Sequence, residues 1–519
     1  MGAGKKAMSG AEIPDRGGAD CQRKTKRGAI EEKIEIGANA FVYFVTAVIS
    51  STISFFLIPI FTRVLTTEEF GIVSIATTAT SLLAPIIGLG LGSYVTQMHF
   101  RYKDRAEQRH ILGSLLLFLI IFSGAIVVGL DTVGRFGYLE FVRGVRFRPY
   151  LETALWTAYM TVFVAAAQGM FMARNQSLKM SILLIGVSSV NAVASLTLVL
   201  AFGLGVEGYL LGGLIAAVVI GCRSLWILGR ESRPNLDWSR VLEGLRFSLP
   251  LIPHTIALWV LTLSDRYVLS HFVSTASIGV YSLGYQVGFI VSMITNAVNN
   301  SFYPIASGKL SDSNASGSVP GMGTMVVATF ALAAVGVACL GPEFVSLLTP
   351  ERYHGATAVV PWIATGFFFQ GLYFILSLGT WFSMKTGWVP IITAFGAAVN
   401  VICNLILIPR LGIVGSAISN VLAFSTLAAL NGYLAFRKHK IDWEYWQWLK
   451  IALIGGICYV VAMRPGFSSH LAALVWRVAL IISLFPVLMV VLRVTRLDIA
   501  KSYFRMFIER MAPKAWPID

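Results

Sequence analysis

The chain is poor in charge. Only 13% of its 519 residues are Asp, Glu, Lys or Arg, about half the share of roughly a quarter usual for a soluble domain. Acidic residues are the scarcer sign, 26 against 41 basic ones, which leaves a net charge of +15. Cysteines number five. Cys21, Cys222, Cys339, Cys403 and Cys458 lie far apart and form no CxxC, so neither a disulfide framework nor a zinc site is expected. The histidines are scattered, and no HExxH, GxSxG or paired-carboxylate motif occurs. The expectation is a protein that is not an enzyme, with no catalytic residues, metal ligands or cofactor. Gly2, Ala3, Gly4, Lys5 and Lys6 lack the strand, spacing and helix of a phosphate-binding loop. ATP-driven transport by this chain alone is therefore not expected.

What the chain has instead is apolar length. Hydrophobic residues make up 56% of it, and the mean hydropathy is +0.72. That excludes an ordinary soluble enzyme and a disordered chain. A membrane span needs about 20 apolar residues, and runs of that kind recur from residue 38 to residue 492. They group as six, six and two. The expected fold is an all-α integral membrane protein of about fourteen transmembrane helices. Its expected parts are a cytoplasmic tail at 1–37, a first lobe at 38–228, a cytoplasmic linker at 229–246 and a second lobe at 247–436. Two further helices follow at 437–492, with a basic cytoplasmic tail at 493–519. Residues 1–37 lack the apolar run of a signal peptide. An even number of spans puts both termini on one side, and the distribution of Lys and Arg makes that side cytoplasmic. The basic excess then reads as orientation, and nucleic acid is not an expected partner. Segment 131–149 fits less well, because Arg135, Arg143, Arg146 and Arg148 fall on the external side.

The two sets of six repeat. Gly71 and Gly279 sit in like contexts, Glu-Phe-Gly-Ile-Val-Ser and Ser-Ile-Gly-Val-Tyr-Ser, at an offset of 279 − 71 = 208. Asn191 and Asn400 match at 400 − 191 = 209, and Gly205 and Gly412 at 412 − 205 = 207. Six helices per repeat give both the same orientation, so the repeats are expected to be parallel, with a substrate cavity between two rocking lobes.

Two strings carry a resemblance. The first is Phe56-Leu-Ile-Pro59-Ile-Phe-Thr62-Arg63-Val-Leu-Thr-Thr-Glu-Glu-Phe-Gly71. The second is Asp265-Arg266-Tyr-Val-Leu, followed by Ile278-Gly279-Val-Tyr281-Ser282. Together they resemble the polysaccharide-biosynthesis flippases, the Wzx-like branch of the MOP exporter superfamily, over roughly residues 38–440. The resemblance implies a bacterial inner-membrane protein that moves polyprenyl-diphosphate-linked oligosaccharide to the outer leaflet for O-antigen, capsule or exopolysaccharide. It implies as partners that lipid-linked substrate, the phospholipid membrane, and polymerase and chain-length proteins of such a pathway. A lipid II flippase, a MATE-like small-molecule antiporter and a membrane glycosyltransferase or polymerase remain open alternatives. The last is disfavoured by short external loops.

Intramembrane charge costs about 2.5–3.5 kcal/mol per group on insertion scales, so charged residues inside a span are the first candidates. Asp265 and Arg266 lie about seventeen residues into the seventh helix, roughly 25 Å at 1.5 Å per residue. Either they pair with each other to fix a lobe, or Arg266 faces the cavity to hold a diphosphate. Arg63 at the end of the first helix and Arg174 at the fourth-to-fifth junction are further phosphate candidates, with snorkelling and topology as the plainer readings. On the eighth helix Ser282, Gln286, Ser292, Asn296, Asn299 and Asn300 share an arc of about 140° at 100° per residue. Lipid cannot satisfy amides, so this stripe faces either a neighbouring helix or a wet cavity suited to sugar. Asn191 and Asn400, with Gln168 and Gln370, are weaker candidates of the same kind.

Overall fold

A computed structural model describes residue 42 and residues 45–136, 145–311, 316–382, 388–438, 441–464, 466 and 469–494. The proposed tails at 1–37 and 493–519 lie largely outside the described residues, as does Arg143. Fourteen helices among the described residues are long and apolar enough to cross a membrane. They are α1 (Val45–Val64), α2 (Thr67–Ile87), α3 (Arg105–Arg135), α4 (Phe147–Ala173), α5 (Ser177–Ala201), α6 (Gly205–Arg230) and α7 (Trp238–Leu263). The second series is α8 (Thr275–Leu310), α9 (Val319–Leu348), α10 (Val360–Thr380), α11 (Val389–Leu411), α12 (Ile413–Arg437), α13 (Tyr445–Met463) and α14 (His470–Val491). The all-helical architecture of two six-helix repeats plus two helices is the one the sequence predicts.

The repeat is visible in local chemistry. Thr66 caps α2: its hydroxyl accepts from the Glu69 N–H (3.2 Å), and the Glu69 carboxylate accepts from the Thr66 N–H (2.7 Å). This reciprocal capping box satisfies two donors that a helix start leaves open. Ser274 caps α8 in the same way, accepting from the Ser277 N–H (3.3 Å), at 274 − 66 = 208. Gly205 and Gly412, which lead into α6 and α12, both take positive φ, 51° and 58°. That region penalises any residue with a Cβ.

The repeats meet along α2 and α8, and they meet through equivalent residues. Ser74 and Ser282 are 208 positions apart and their hydroxyls are 2.6 Å from each other, both buried. A Cβ on Gly71 would run into the backbone carbonyl of Thr275, and one on Gly279 into that of Thr67. Residue i of one repeat touches j of the other while j touches i. This is the signature of a two-fold-related interface. Burial is dense from Phe70 to Ala79 on α2 and from Ile278 to Gly288 on α8, and thins beyond. The closed end carries the 64–67 and 273–275 turns and the segment Glu351–Ala358; we call it the turn side.

Two elements differ from the sequence expectation. The second apolar run, near 71–95, does not form one helix: α2 ends at Ile87. Leu89 and Gly90 take positive φ (48° and 65°), and a separate short helix, Leu91–Arg101, follows. The seventh helix starts earlier, at Trp238 inside the charged segment 229–246, with Asp237 as its cap. Its first turns are amphipathic, so a search for apolar runs passes over them. This piece docks on the first repeat. Arg240 pairs with Glu107 (2.6 Å), Tyr102 donates to Glu243 (2.6 Å) and Arg101 pairs with Glu243 (3.2 Å). The hydrogen bond to Glu243 pushes the Tyr102 phenol above its ordinary pKa. After a 3-10 turn at Leu249–Leu251 the remainder, Ile252–Leu263, packs against α11 and α2.

The last helix is tied down by charge. Arg477 of α14 pairs with Glu343 of α9 (2.7 Å) and donates to the Cys339 carbonyl (3.0 Å), while His470 meets the other Glu343 oxygen (2.8 Å). A buried arginine within a span is tolerable when it is partnered in this way.

Candidate functional site

The polar stripe of α8 divides in the structure. Ser282 and Ser292 are buried, Ser282 against Ser74 of α2 and Ser292 donating to the Gln370 carbonyl oxygen on α10 (2.7 Å). These serve packing between helices. Gln286, Asn296 and Asn300 are exposed, with Phe289 between them at 42% exposure. The four share an arc of about 80° at 100° per residue. Asn296 donates to the Ser292 carbonyl (2.7 Å), which turns its own carbonyl oxygen free. Across from this helix, Thr77 of α2 is exposed within the packed length and Ser81 just beyond it. Trp259 of α7 donates its indole N–H to the Ser81 hydroxyl (3.0 Å). Hydrocarbon offers amides no partner, so this face calls for water or a polar ligand.

The charged candidates are placed otherwise. Asp265 and Arg266 open the short helix Asp265–Phe272 that continues α7, and both are buried, at 3% and 5% exposure. Their side chains pair at 2.8 Å. Tyr281 of α8 donates to the second Asp265 oxygen, and the Arg266 guanidinium lies over the Tyr285 ring (4.1 Å). Between the two readings the sequence left open, this geometry is that of a self-contained, aromatic-packed ion pair within the second repeat. Arg63 is exposed at the end of α1. Arg174 pairs with Glu231 (3.1 Å) and donates to the Nε2 of His99 (3.3 Å), whose Nδ1 faces the Val95 carbonyl (2.8 Å). Burial pushes the His99 imidazole pKa down, which suits that neutral acceptor role. Asn191 accepts from Ser195 (3.2 Å), and buried Asn400 accepts from Asn404 one turn on (3.0 Å). In the arginine cluster of 131–149, Arg135 pairs with Asp131 and Glu152 (2.7 and 2.8 Å), and Arg148 with Glu152 (2.7 Å). The structure thus gathers Gln286, Asn296 and Asn300 on one open face. It does not bring Asp265, Arg266, Arg63, Arg174, Asn191 and Asn400 together with them.

Sequence reasoning missed Thr77, Ser81 and Trp259. Hydroxyls are common in apolar helices, and at the repeat offset of 208 Thr77 and Ser81 fall on Tyr285 and Phe289, so nothing in the sequence singled them out. An apolar groove of about 610 Å³ also lies between α9, α10 and α13. Ala334, Ala338, Gly455 and Gly456 open it, and Trp362 and Tyr459 flank it.

Comparisons agree with this architecture. Among curated proteins, none matches the sequence. Among solved structures, a lipid II flippase MurJ in an inward closed conformation is similar at TM-score 0.69 and 14% identity, over 88% of this chain and 98% of that one. An inward-facing multidrug resistance MATE family transporter is similar at TM-score 0.63 and 13% identity, over 76% and 94%. A MOP superfamily transporter from Pyrococcus furiosus gives TM-score 0.56 and 14% identity, over 77% and 95%. At these identities the likeness is one of fold. Residues 36–308 match the polysaccharide biosynthesis protein family. This multi-pass membrane chain, built on the fold of the MOP superfamily transporters, belongs to the polysaccharide biosynthesis protein family.

Proposed function

We propose that the chain carries polyprenyl-diphosphate-linked oligosaccharide from the inner to the outer leaflet of a bacterial inner membrane, by alternating access. Lobes 38–228 and 247–436, joined through 229–246, are the moving bodies. Both termini are cytoplasmic, so the turn side is external, and the polar faces of α2 and α8 open toward the cytoplasm. The observation that carries this reading is the exposed amide face of α8, at Gln286, Asn296 and Asn300. Sugars are dense in donors and acceptors, and an amide lining exchanges hydrogen bonds with them without the cost of an unpaired group. The prenyl tail stays in the bilayer, and the groove between α9, α10 and α13 gives it an apolar rest beside the last two helices. A cell interior negative by 100 mV favours outward movement of each negative charge by about 2.3 kcal/mol, so a diphosphate is driven in the required direction. Polymerase and chain-length proteins are the partners that such a product implies.

The test is in cells that depend on this chain for a surface polysaccharide. Gln286→Leu, Asn296→Leu and Asn300→Leu combined are expected to cut export at least about tenfold, which corresponds to about 1.4 kcal/mol of lost recognition. Membrane level of the protein should stay at that of the wild type, because these side chains are already exposed. Full export by the triple variant would remove the amide face from the path.

A further inference from the structure

The turn side is held by more than apolar packing. Arg352 stands between α9 and α10, in the second repeat, and reaches the end of α1 in the first. Its Nη2 donates to the carbonyls of Thr62 (2.9 Å), Leu65 (3.0 Å) and Arg63 (3.1 Å). The last turn of a helix leaves carbonyls without partners and carries partial negative charge, and a guanidinium matches both. Tyr353 follows. It is fully buried, and its hydroxyl is shared between the carbonyls of Thr66 (2.9 Å) and Leu65 (3.1 Å). Its ring meets Phe70 of α2 edge-on at 5.8 Å. Five contacts from two adjacent residues therefore bridge the repeats at the point where α1 turns into α2.

We infer that Arg352 and Tyr353 are positioning residues that latch the turn side shut, and that their release from the 62–66 carbonyls accompanies its opening. This rests on the transport reading above, in which that side must open to release substrate. The carbonyls concerned end a helix, so water can replace Arg352 when the repeats part. The latch therefore biases the closed state without locking it. The contacts between Gly71 and Thr275 set how near the helices come; the latch sets how long they stay.

The experiment uses the full chain in lipid nanodiscs, with native cysteines replaced and spin labels at Glu68→Cys and Glu351→Cys. Wild type is expected to give mainly one short distance. Arg352→Ala is expected to raise the ratio of long to short distances roughly fivefold, with Arg352→Lys intermediate because lysine keeps the charge but lacks the reach and the planar fork of the guanidinium. Tyr353→Phe keeps the ring and loses only the hydroxyl. It is expected to move the ratio the same way, and it carries the test if Arg352→Ala does not give folded protein. Unchanged distance distributions in folded variants would overturn the latch. The distances are read without substrate, so a shift there with no lipid crossing in any assay would leave the latch standing and the transport reading refuted.

Discussion

Replacing Gly71 or Gly279 with alanine is expected to hold the turn side ajar and to abolish export. A Cβ at Gly71 meets the Thr275 carbonyl, and one at Gly279 meets the Thr67 carbonyl, both closer than any van der Waals contact allows. The obstacle in each case is backbone in the first turn of a capped helix, not the end of a flexible side chain. The first turn is pinned by Thr66 and Glu69 on α2 and by Ser274 on α8. It cannot yield by a rotamer change, so α2 and α8 must separate. Overpacking of this kind costs about 1–3 kcal/mol. The cost falls on the closed state alone, so it shifts the balance between states roughly 5–150-fold. The same label pair at Glu68 and Glu351 reads this directly, as a long distance that dominates in either variant. A short distance with normal export would mean that the helices slide past the methyl at no cost.

The second large effect is at the buried ion pair. Arg266→Ala is expected to lower the amount of folded protein, not only its activity. The substitution leaves Asp265 at 3% exposure with Tyr281 as a partner but no cation. Breaking a buried pair by removing one member costs about 3–5 kcal/mol, whereas replacing both members by apolar residues is often neutral. Asp265→Leu combined with Arg266→Met is therefore expected to recover most of the thermal midpoint that Arg266→Ala loses. Midpoints measured in one detergent for the three proteins decide the matter. Had the pair faced substrate, Arg266→Ala would keep the wild-type midpoint and lose export, and the double variant would also be inactive.

These expectations show what the chain discloses before it folds. The fourteen spans are legible because a bilayer imposes a length of about 20 apolar residues on each. The repeat is legible because equivalent turns need equivalent caps and glycines, as at Thr66 and Ser274 or Gly205 and Gly412. The polar stripe on α8 was legible as one arc of amides and hydroxyls. Periodicity cannot tell Ser292, which meets Gln370, from Asn296, which stays open, because the distinction depends on which neighbour arrives. The same holds for Asn400, whose partner Asn404 sits on its own helix. Asp265 and Arg266 were legible as important and ambiguous as to role. Adjacent residues on a helix do not normally face each other, and here the long Arg266 side chain folds back over Tyr285 to reach its neighbour. Arg352 gave no signal: an arginine in a short connection reads as surface charge until the end of α1 is seen beneath it.

Reconstitution tests the central claim most directly. The purified full chain is placed in liposomes carrying a fluorescent polyprenyl-diphosphate oligosaccharide, with fluorescent lipid II and a fluorescent phospholipid in parallel vesicles. A membrane-impermeant quencher then reports which leaflet each occupies. The account predicts protein-dependent crossing of the oligosaccharide carrier, accelerated by a potential that favours outward movement of negative charge. It also predicts that the crossing is lost in Gly71→Ala and in the triple amide variant. No crossing of the oligosaccharide carrier, or crossing of lipid II or phospholipid at an equal rate, would contradict it.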